Sequence, residues 1–255
     1  MGWLAGQDLV ADGNTLIGTN AGLQNTSGAN NTALGYYSMA DGITTGADNV
    51  AVGYRAGNAT TSGYNNIAIG TDALYAVTTG ESNVAIGHDA LTALTTSTAN
   101  VAIGRNAGGA VTTGDARMVA VGFRALQACT SGTQNTAVGQ YAMDVVTTAG
   151  YSTCVGAYAG NALTTGENII CIGQNTDPSA ANGTAQIVIG DGITGKGNDT
   201  GFIDSNGGGN YAGNNSASWS TTSDRRIKKN ITDNNIGLAE INQIQVRNFE
   251  YRLPE

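Results

Sequence analysis

Few side chains in this sequence have the types and spacing that catalysis or metal binding requires. Asp72 and Asp89 occupy the same position in consecutive units of a repeat described below. Two neighbouring carboxylates are the groups that glycoside hydrolysis uses. Arg55 and Arg124 occupy the same repeat position, however, which favours a ladder of surface charges over a catalytic pair. His88 is the single histidine, and we expect it to lie on the surface.

The three cysteines do not have the spacing of a disulfide framework or a metal site. Cys154 and Cys171 occupy the same position in consecutive repeats, so we expect them to stack as neighbours, with Cys129 elsewhere. Small buried residues filling small sites account for all three. We predict neither a cofactor nor a bound metal.

The sequence changes character at Ser223, where the run Ser-Asp-Arg-Arg-Ile-Lys-Lys-Asn begins. Taken alone, this run is either a charged, solvated strand or part of a site. The residues after it predict a helix around Leu238 to Ile244 and a strand near Arg247 to Tyr251, that is, a short α+β segment.

This run resembles the start of the peptidase S74 domain, the self-cleaving intramolecular chaperone at the C-terminus of endosialidases, phage tail fibres and neck appendages. The resemblance rests on Ser-Asp-x-Arg-x-Lys, then Asn230-Ile231 and Asn-Phe-Glu-Tyr ending at Tyr251. It implies a scissile bond between Thr222 and Ser223, with Ser223 as nucleophile and Lys228 as base. A lysine serves as a base when burial or cationic neighbours lower its pKa.

Self-cleavage of this kind would be a single turnover, and we predict no activity on an external substrate. The residues after Ser223 are fewer than that domain usually has, so we expect cleavage to be impaired.

A repeat that covers most of the chain must position all the other candidates. Its most regular feature, which we call the marker glycine, recurs about every 17 residues, a period that indicates one short supersecondary unit stacked on itself. Two of the steps are one residue longer than the others. The series is Gly18, Gly35, Gly53, Gly70, Gly87, Gly104, Gly122, Gly139, Gly156, Gly173 and Gly190.

The residues before the marker glycine alternate in the manner of a β-strand. A β-branched residue stands three positions before it and Ile, Val or Leu one position before it, as in Val84 and Ile86. We expect these two columns to face the core and the alanine between them, such as Ala85, to face outward. An outward column of small residues suggests close packing against another copy of the chain.

Asparagine recurs four positions before the marker glycine, and we interpret it as a stacked corner ladder. A second column of alanines and Thr-Thr-Gly turns follow the glycine. Each repeat is therefore a strand, a corner, a second short extended piece and a turn. The prediction is an all-β fold, a parallel β-solenoid of eleven 17-residue coils on the order of 50 Å long.

The stretch Asn-Val-Ala-Ile-Gly is similar to the head repeats of trimeric autotransporter adhesins, a left-handed β-roll written around Asn-Ser-Val-Ala-Ile-Gly, whose coils are shorter. That resemblance covers roughly residues 14–190 and implies a homotrimeric fibre.

We divide the chain into four segments. Residues 1–13 form a cap or connector, 14–190 the solenoid rod, 191–222 a Gly-rich tip or linker, and 223–255 the start of the chaperone-like domain. In the third segment, Phe202, Tyr211 and Trp219 would supply either a small core or a receptor-binding surface.

Composition narrows the list of partners. The net charge is −8 and no basic stripe exists to neutralise phosphates, so nucleic acid is not expected as a partner. No stretch approaches the ~20 apolar residues of a membrane span, and neither a signal peptide nor an acylation motif follows Met1. We expect no membrane insertion.

The favoured function is a homotrimeric fibre of a phage tail or similar appendage, located in the virion, that binds a glycan or protein on the host surface. One alternative is a trimeric adhesin on a bacterial cell surface. Another is a monomeric solenoid, either an ice-binding protein with flat threonine columns or a tailspike that degrades polysaccharide.

Overall fold

A computed structural model of the chain describes residues 2–112, 117–204, 209–213 and 220–221. The chain divides into two compact units, Met1–Thr222 and Ser223–Glu255, and all the described residues belong to the first. The helix and strand predicted after Ser223 lie outside the described residues.

The described residues form one sheet of fourteen short strands in sequential order. Neighbouring strands are parallel from β1 to β12, and β13 and β14 add antiparallel. The predicted parallel β-solenoid is therefore confirmed. The strands are β1 Thr15–Ile17, β2 Thr32–Leu34, β3 Val50–Val52, β4 Ile67–Ile69, β5 Val84–Ile86, β6 Val101–Ile103, β7 Val119–Val121, β8 Thr136–Val138, β9 Thr153–Val155, β10 Ile169–Ile172, β11 Gln186–Gly190, β12 Thr200–Asp204, β13 Asn210–Ala212 and β14 Ser220–Thr221.

The orientation of the strands is the reverse of the one predicted from sequence. Ala68, Ala85 and Ala102 are at most 2% exposed, whereas Ile67 and Ile69 on either side of the first are 36% and 37% exposed. The alanine column faces the core and the branched column faces outward. Our assignment of the two faces was therefore wrong.

The physical reason is the thinness of the coil. Its opposite wall carries large side chains from the turn, such as Leu74, Val77, Leu91 and Leu94, all fully buried. These belong to the same core cluster as the strand alanines. Because protein interiors are close-packed, large residues on the turn wall leave room only for small ones on the strand wall.

The predicted asparagine ladder is confirmed. Asn83 Nδ2 donates to Asn66 Oδ1 (3.1 Å) and to the Ser97 carbonyl (3.0 Å), while Asn83 Oδ1 accepts from the backbone and side-chain nitrogens of Asn100 (3.0 and 2.9 Å). The side chain is fully buried. The left-handed residue at this corner is the one before the ladder asparagine, for example Ser82 with φ 59°.

The marker glycine is required for two reasons. Gly87 has φ +135°, and a Cβ there would lie 2.6 Å from the carbonyl oxygen of Gly104 in the next coil. Left-handed residues also follow the glycine: Asp89 has φ 56° and the buried Leu91 has φ 49°. Such φ values cost free energy in non-glycine residues.

The segment after each marker glycine, predicted as a second short extended piece and a turn, forms no named strand in the described residues of the eleven coils. The chain after each marker glycine makes turns. Hydrogen bonds still join successive coils there: Leu74 N–H donates to Ala90 O (3.0 Å), Ala76 N–H to Thr92 O (3.2 Å) and Thr78 N–H to Thr95 O (2.9 Å). Turn geometry replaces a second sheet because the left-handed residues bend the chain too sharply for a strand.

Residues at both ends of the rod stack on the neighbouring coil. On the N-terminal side, Gly6 N–H donates to Ala21 O (3.0 Å) and Val10 N–H to Thr26 O (3.0 Å). On the C-terminal side, β12 pairs with β11 after a shorter step than in the coils before it, and β13 and β14 then reverse direction. Regular sheet pairing therefore continues beyond the last marker glycine, Gly190.

Candidate interaction surfaces

The outward side chains of the strands form a continuous apolar surface, which we call the strand face. It consists of the residues three and one positions before each marker glycine, all of them Val, Ile, Leu or Thr. Ile17, Leu34, Ile103 and Ile172 are 38–48% exposed. The strand face contains no charged side chain, and the parallel register aligns its two columns along the whole rod.

A second surface, which we call the aromatic ridge, runs beside the strand face along the residues one and two positions after the marker glycine. In its N-terminal part, the rings of Tyr36 and Tyr54 stack with centroids 5.8 Å apart. The Arg55 guanidinium lies 5.1 Å from the Tyr54 centroid and 4.6 Å from that of Tyr75, and Arg55 Nε donates to Asp72 Oδ1 (2.7 Å). Arg55 and Asp72 therefore neutralise each other.

The C-terminal part of the ridge has the same kinds of residue in a different arrangement. Phe123 meets Tyr141 edge to face at 5.1 Å, and Tyr141 stacks on Tyr158 at 5.0 Å. Arg105 lies over the Phe123 ring (5.5 Å) and Arg124 over the Tyr141 ring (5.2 Å). Three successive coils thus present aromatic rings side by side.

Of the carboxylates raised as a possible catalytic pair, Asp72 joins a charged neighbour in its own column, as favoured from sequence, and Asp89 lies against a neighbour on its own coil. Asp72 is paired with Arg55, and Asp89 Oδ2 lies 2.7 Å from His88 Nδ1. The His88 side chain is 54% exposed, which confirms its surface position. Each carboxylate is held by its own cationic or imidazole partner, so the two do not form the unpaired couple that glycoside hydrolysis needs.

The stacking of the two neighbouring cysteines is confirmed. Cys154 and Cys171 are opposite each other in β9 and β10, and all three cysteines are free and buried. The hydrogen bond with Cys171 and burial both raise the pKa of the Cys154 thiol well above its ordinary value. Thiolate is the reactive form, so the raised pKa makes the Cys154 thiol unreactive, and burial assigns all three cysteines to packing.

The threonine columns are partly used inside the rod. Thr61, Thr78 and Thr95 each donate a hydroxyl to the carbonyl of the threonine one coil further on, at 3.0–3.2 Å. Hydroxyls that are donated to the backbone are unavailable as donors at an ice surface, which disfavours the ice-binding alternative.

The predicted receptor-binding aromatics fall in different places. Phe202 is 3% exposed, and Lys196 Nζ lies 4.2 Å from its ring centroid. Phe202 is therefore part of a small core, one of the two roles anticipated for it. Tyr211 is half-buried in β13. Trp219, Thr222, Ser223 and Lys228 lie outside the described residues, so the cleavage site and the Ser–Lys pair stay predictions.

Sequence reasoning missed the aromatic ridge. Its signal was present: Tyr37, Tyr141 and Tyr158 stand two positions after a marker glycine, and Tyr36, Tyr54 and Phe123 one position after. Aligning the repeats by column would have placed these rings together.

No family model matches the chain, and neither a curated protein nor a solved structure is detectably similar to it. Among the described residues, there is no helix long and apolar enough to cross a membrane. Nor do the described residues contain a group of three or more His, Cys, Asp and Glu side chains placed to hold a metal ion.

Proposed function

We propose that this chain is the rod of a homotrimeric fibre in a phage tail or similar appendage, which attaches to a host surface. The strand face is the observation that carries the proposal. A rod that leaves one apolar stripe uncovered along its length needs partners with the same period and the same stripe. Other copies of the chain supply both.

The size of the strand face supports association. Eleven strands contribute two outward side chains each, and at roughly 50 Å² per side chain the stripe totals about 1,100 Å². In a trimer each of the two neighbouring copies covers about half of it, which is near the low end of specific interfaces. The largest apolar patch on a typical soluble monomer is only about 300–600 Å². Burying the stripe removes this surface from water.

The choice of three copies rests on the resemblance of the repeat to trimeric adhesin heads. Three narrow stripes arranged around one axis parallel to the rods give a closed assembly, because each copy covers the stripes of the others. The chaperone-like motif at Ser223 favours phage-derived machinery over a bacterial surface adhesin. In this proposal three chains are first brought into register, and cleavage of the Thr222–Ser223 bond, which we expect to be impaired, would follow.

The test is the mass of the native assembly, followed by the mass of its denatured chain. The chain is 25.7 kDa, so we expect three times that mass for an uncleaved trimer. A smaller chain ending at Thr222 would support self-cleavage as well, and a full-length chain would retain the fibre without the cleavage. A stable monomer would overturn the fibre.

A further inference from the structure

The strand face has a second border, on the side opposite the aromatic ridge. It consists of the residues five and six positions before each marker glycine, at the corner that leads into the strand. We call this border the acidic edge, because four of its five charged side chains are carboxylates. The five are Asp12, Asp48, Glu81, Arg117 and Glu167.

The aromatic ridge carries more positive charge. Three of the four arginines in residues 14–190 stand on it together with His88: Arg55, Arg105 and Arg124. Two of its three carboxylates, Asp72 and Asp89, already lie against Arg55 and His88, and the third, Asp191, follows the last marker glycine. Arg55 and His88 remain accessible in spite of these contacts, with side chains 37% and 54% exposed.

The strand face is too narrow to form the whole contact between copies. A typical strand of the rod, such as β5, is three residues long, so the face is only about 10 Å wide. Each neighbour in a trimer covers about half of its area, which is below the ~800 Å² per partner of a standard interface. The side chains of the two borders must therefore contribute to the contact.

Symmetry decides which borders meet. In a closed ring of parallel rods with their strand faces inward, the start of each strand lies beside the end of the same strand in the next copy. The acidic edge of one copy therefore meets the aromatic ridge of its neighbour at the same level. Two antiparallel rods packed face to face would instead bring acidic edge against acidic edge, which opposes like charges.

Contact at the same level brings complementary side chains together at two coils. Asp48 and Arg55 border β3, and Glu81 and His88 border β5. A shift of one coil in one direction would place Asp48 against Asp72, and a shift in the other direction would place Glu81 against Asp72. The charges therefore favour copies that are in register.

Two further levels fit the same arrangement. At β9, the exposed rings of Tyr151 and Tyr158 border the strand on opposite sides, so they would meet between copies. At β7, Arg117 would face Arg124, whose charge is offset by Asp144 Oδ1 at 3.5 Å from its Nε.

We propose that the acidic edge of each copy packs along the aromatic ridge of the next copy in the trimer, with Asp48 paired to Arg55 and Glu81 to His88 between chains. These pairs hold the rods parallel and in register. The strand face alone leaves the register open, because it presents similar apolar side chains at every level. The inference rests on the proposed function, since it presupposes the trimer, and it names the contacts between its copies.

Cysteine crosslinking of the full chain tests which borders meet. Glu81→Cys/His88→Cys carries one cysteine on each border of β5, on opposite sides of the strand face. With a short bis-maleimide we expect a covalent product of three chains on a denaturing gel, because each copy is linked to the next. The wild type, whose three cysteines are buried, gives the background. Glu81→Cys/Gln140→Cys is the matched control, because its second cysteine lies three coils away in the same column, about 14 Å along the rod, and it should give no such product.

Charge reversal tests the pairing itself. Asp48→Arg suits the backbone, because Arg117 stands in the same column with φ 41°. It places the new arginine against Arg55 in all three contacts of the trimer. We expect the protein concentration at which half of the trimer dissociates to rise at least about tenfold. Asn168→Arg also introduces an arginine into this column, at a level where the ridge has no charged side chain, and should dissociate as the wild type does.

Three results would overturn the edge pairing. They are a trimeric Glu81→Cys/His88→Cys protein that gives no three-chain product, a two-chain product from Glu81→Cys alone, which indicates antiparallel rods, and an Asp48→Arg trimer as tight as the wild type. The native mass of the wild type is recorded in parallel. A trimer without the crosslink retires the edge pairing alone, whereas a monomer retires the fibre and the pairing with it.

Discussion

At the scale of single residues, the rod is held in register by side chains that hydrogen-bond one coil to the next. The ladder asparagines do this at the corner before each strand, and the threonine hydroxyls do it at the turn. The ladder is interrupted at Met118 and ends in Ser152, whose hydroxyl still accepts from Ile169 N–H (3.2 Å). A serine can therefore occupy the ladder position, although it makes fewer hydrogen bonds than an asparagine.

Asn83→Ala tests the ladder. The substitution leaves the Ser97 carbonyl and the backbone N–H of Asn100 without their partner in a fully buried place, while Asn100 Nδ2 keeps Ser97 Oγ as an acceptor. We expect a loss of about 2–3 kcal/mol in the free energy of unfolding, measured by urea denaturation. Asn83→Ser, the exchange already present at Ser152, is the matched control and should lose less than Asn83→Ala. Equal losses in the two variants would contradict the role assigned to the amide.

At the scale of the element, each coil joins a short strand to a turn that requires several left-handed residues. The marker glycine has the least tolerance, because both its φ and its distance from the next coil exclude a side chain. The strand by itself buries little apolar surface, because its inward residues are mostly alanines. The turn supplies the large core residues. Strand and turn therefore form one folding unit that depends on the coils above and below it.

Gly87→Ala should destabilise the rod strongly. A Cβ at Gly87 would collide with the Gly104 carbonyl, and φ +135° is unfavourable for alanine. We expect at least about 2 kcal/mol of lost unfolding free energy. At Gly109 a Cβ would meet its nearest atoms at 3.5–3.9 Å, ordinary contact, so Gly109→Ala should change stability by no more than about 0.5 kcal/mol. A tolerated Gly87→Ala would show that the coils have room to separate.

At the scale of the whole molecule, the stacked coils turn two side chains per strand into a surface as long as the rod. This follows from the parallel, in-register pairing, which repeats each position directly above itself. The same stacking creates the aromatic ridge from rings that are one full repeat apart in the chain. Period and register therefore determine both candidate surfaces.

Ile69→Lys tests whether the strand face is the interface between copies. The Ile69 side chain points outward and is 37% exposed, so the isolated rod should fold with a lysine there. Burying three lysines at one level of a trimer is costly, and we expect the native mass to fall from that of a trimer to that of a monomer. Thr79→Lys, in the exposed turn, should stay trimeric. A trimeric Ile69→Lys protein would move the interface to another face.

By itself, the sequence determined the period, the strand positions, the parallel stacking and the asparagine ladder, because each is a column in the repeat. The paired environment of Asp72 and the stacking of Cys154 on Cys171 followed from the same columns. Residues in the same column of the repeat lie above one another in a parallel solenoid. The repeat therefore predicts these contacts directly from the sequence.

Only the tertiary structure decided which strand face is inside. Alternation gives two faces without saying which is buried, and the usual preference for large residues in the core pointed the wrong way. The turn wall, with Leu74 and Leu91 in left-handed conformations, fills the core and leaves space only for alanine opposite. That outcome depends on how the side chains of the strand wall and the turn wall fill the same small core. It is a property of the closed coil and cannot be seen in the sequence of one strand.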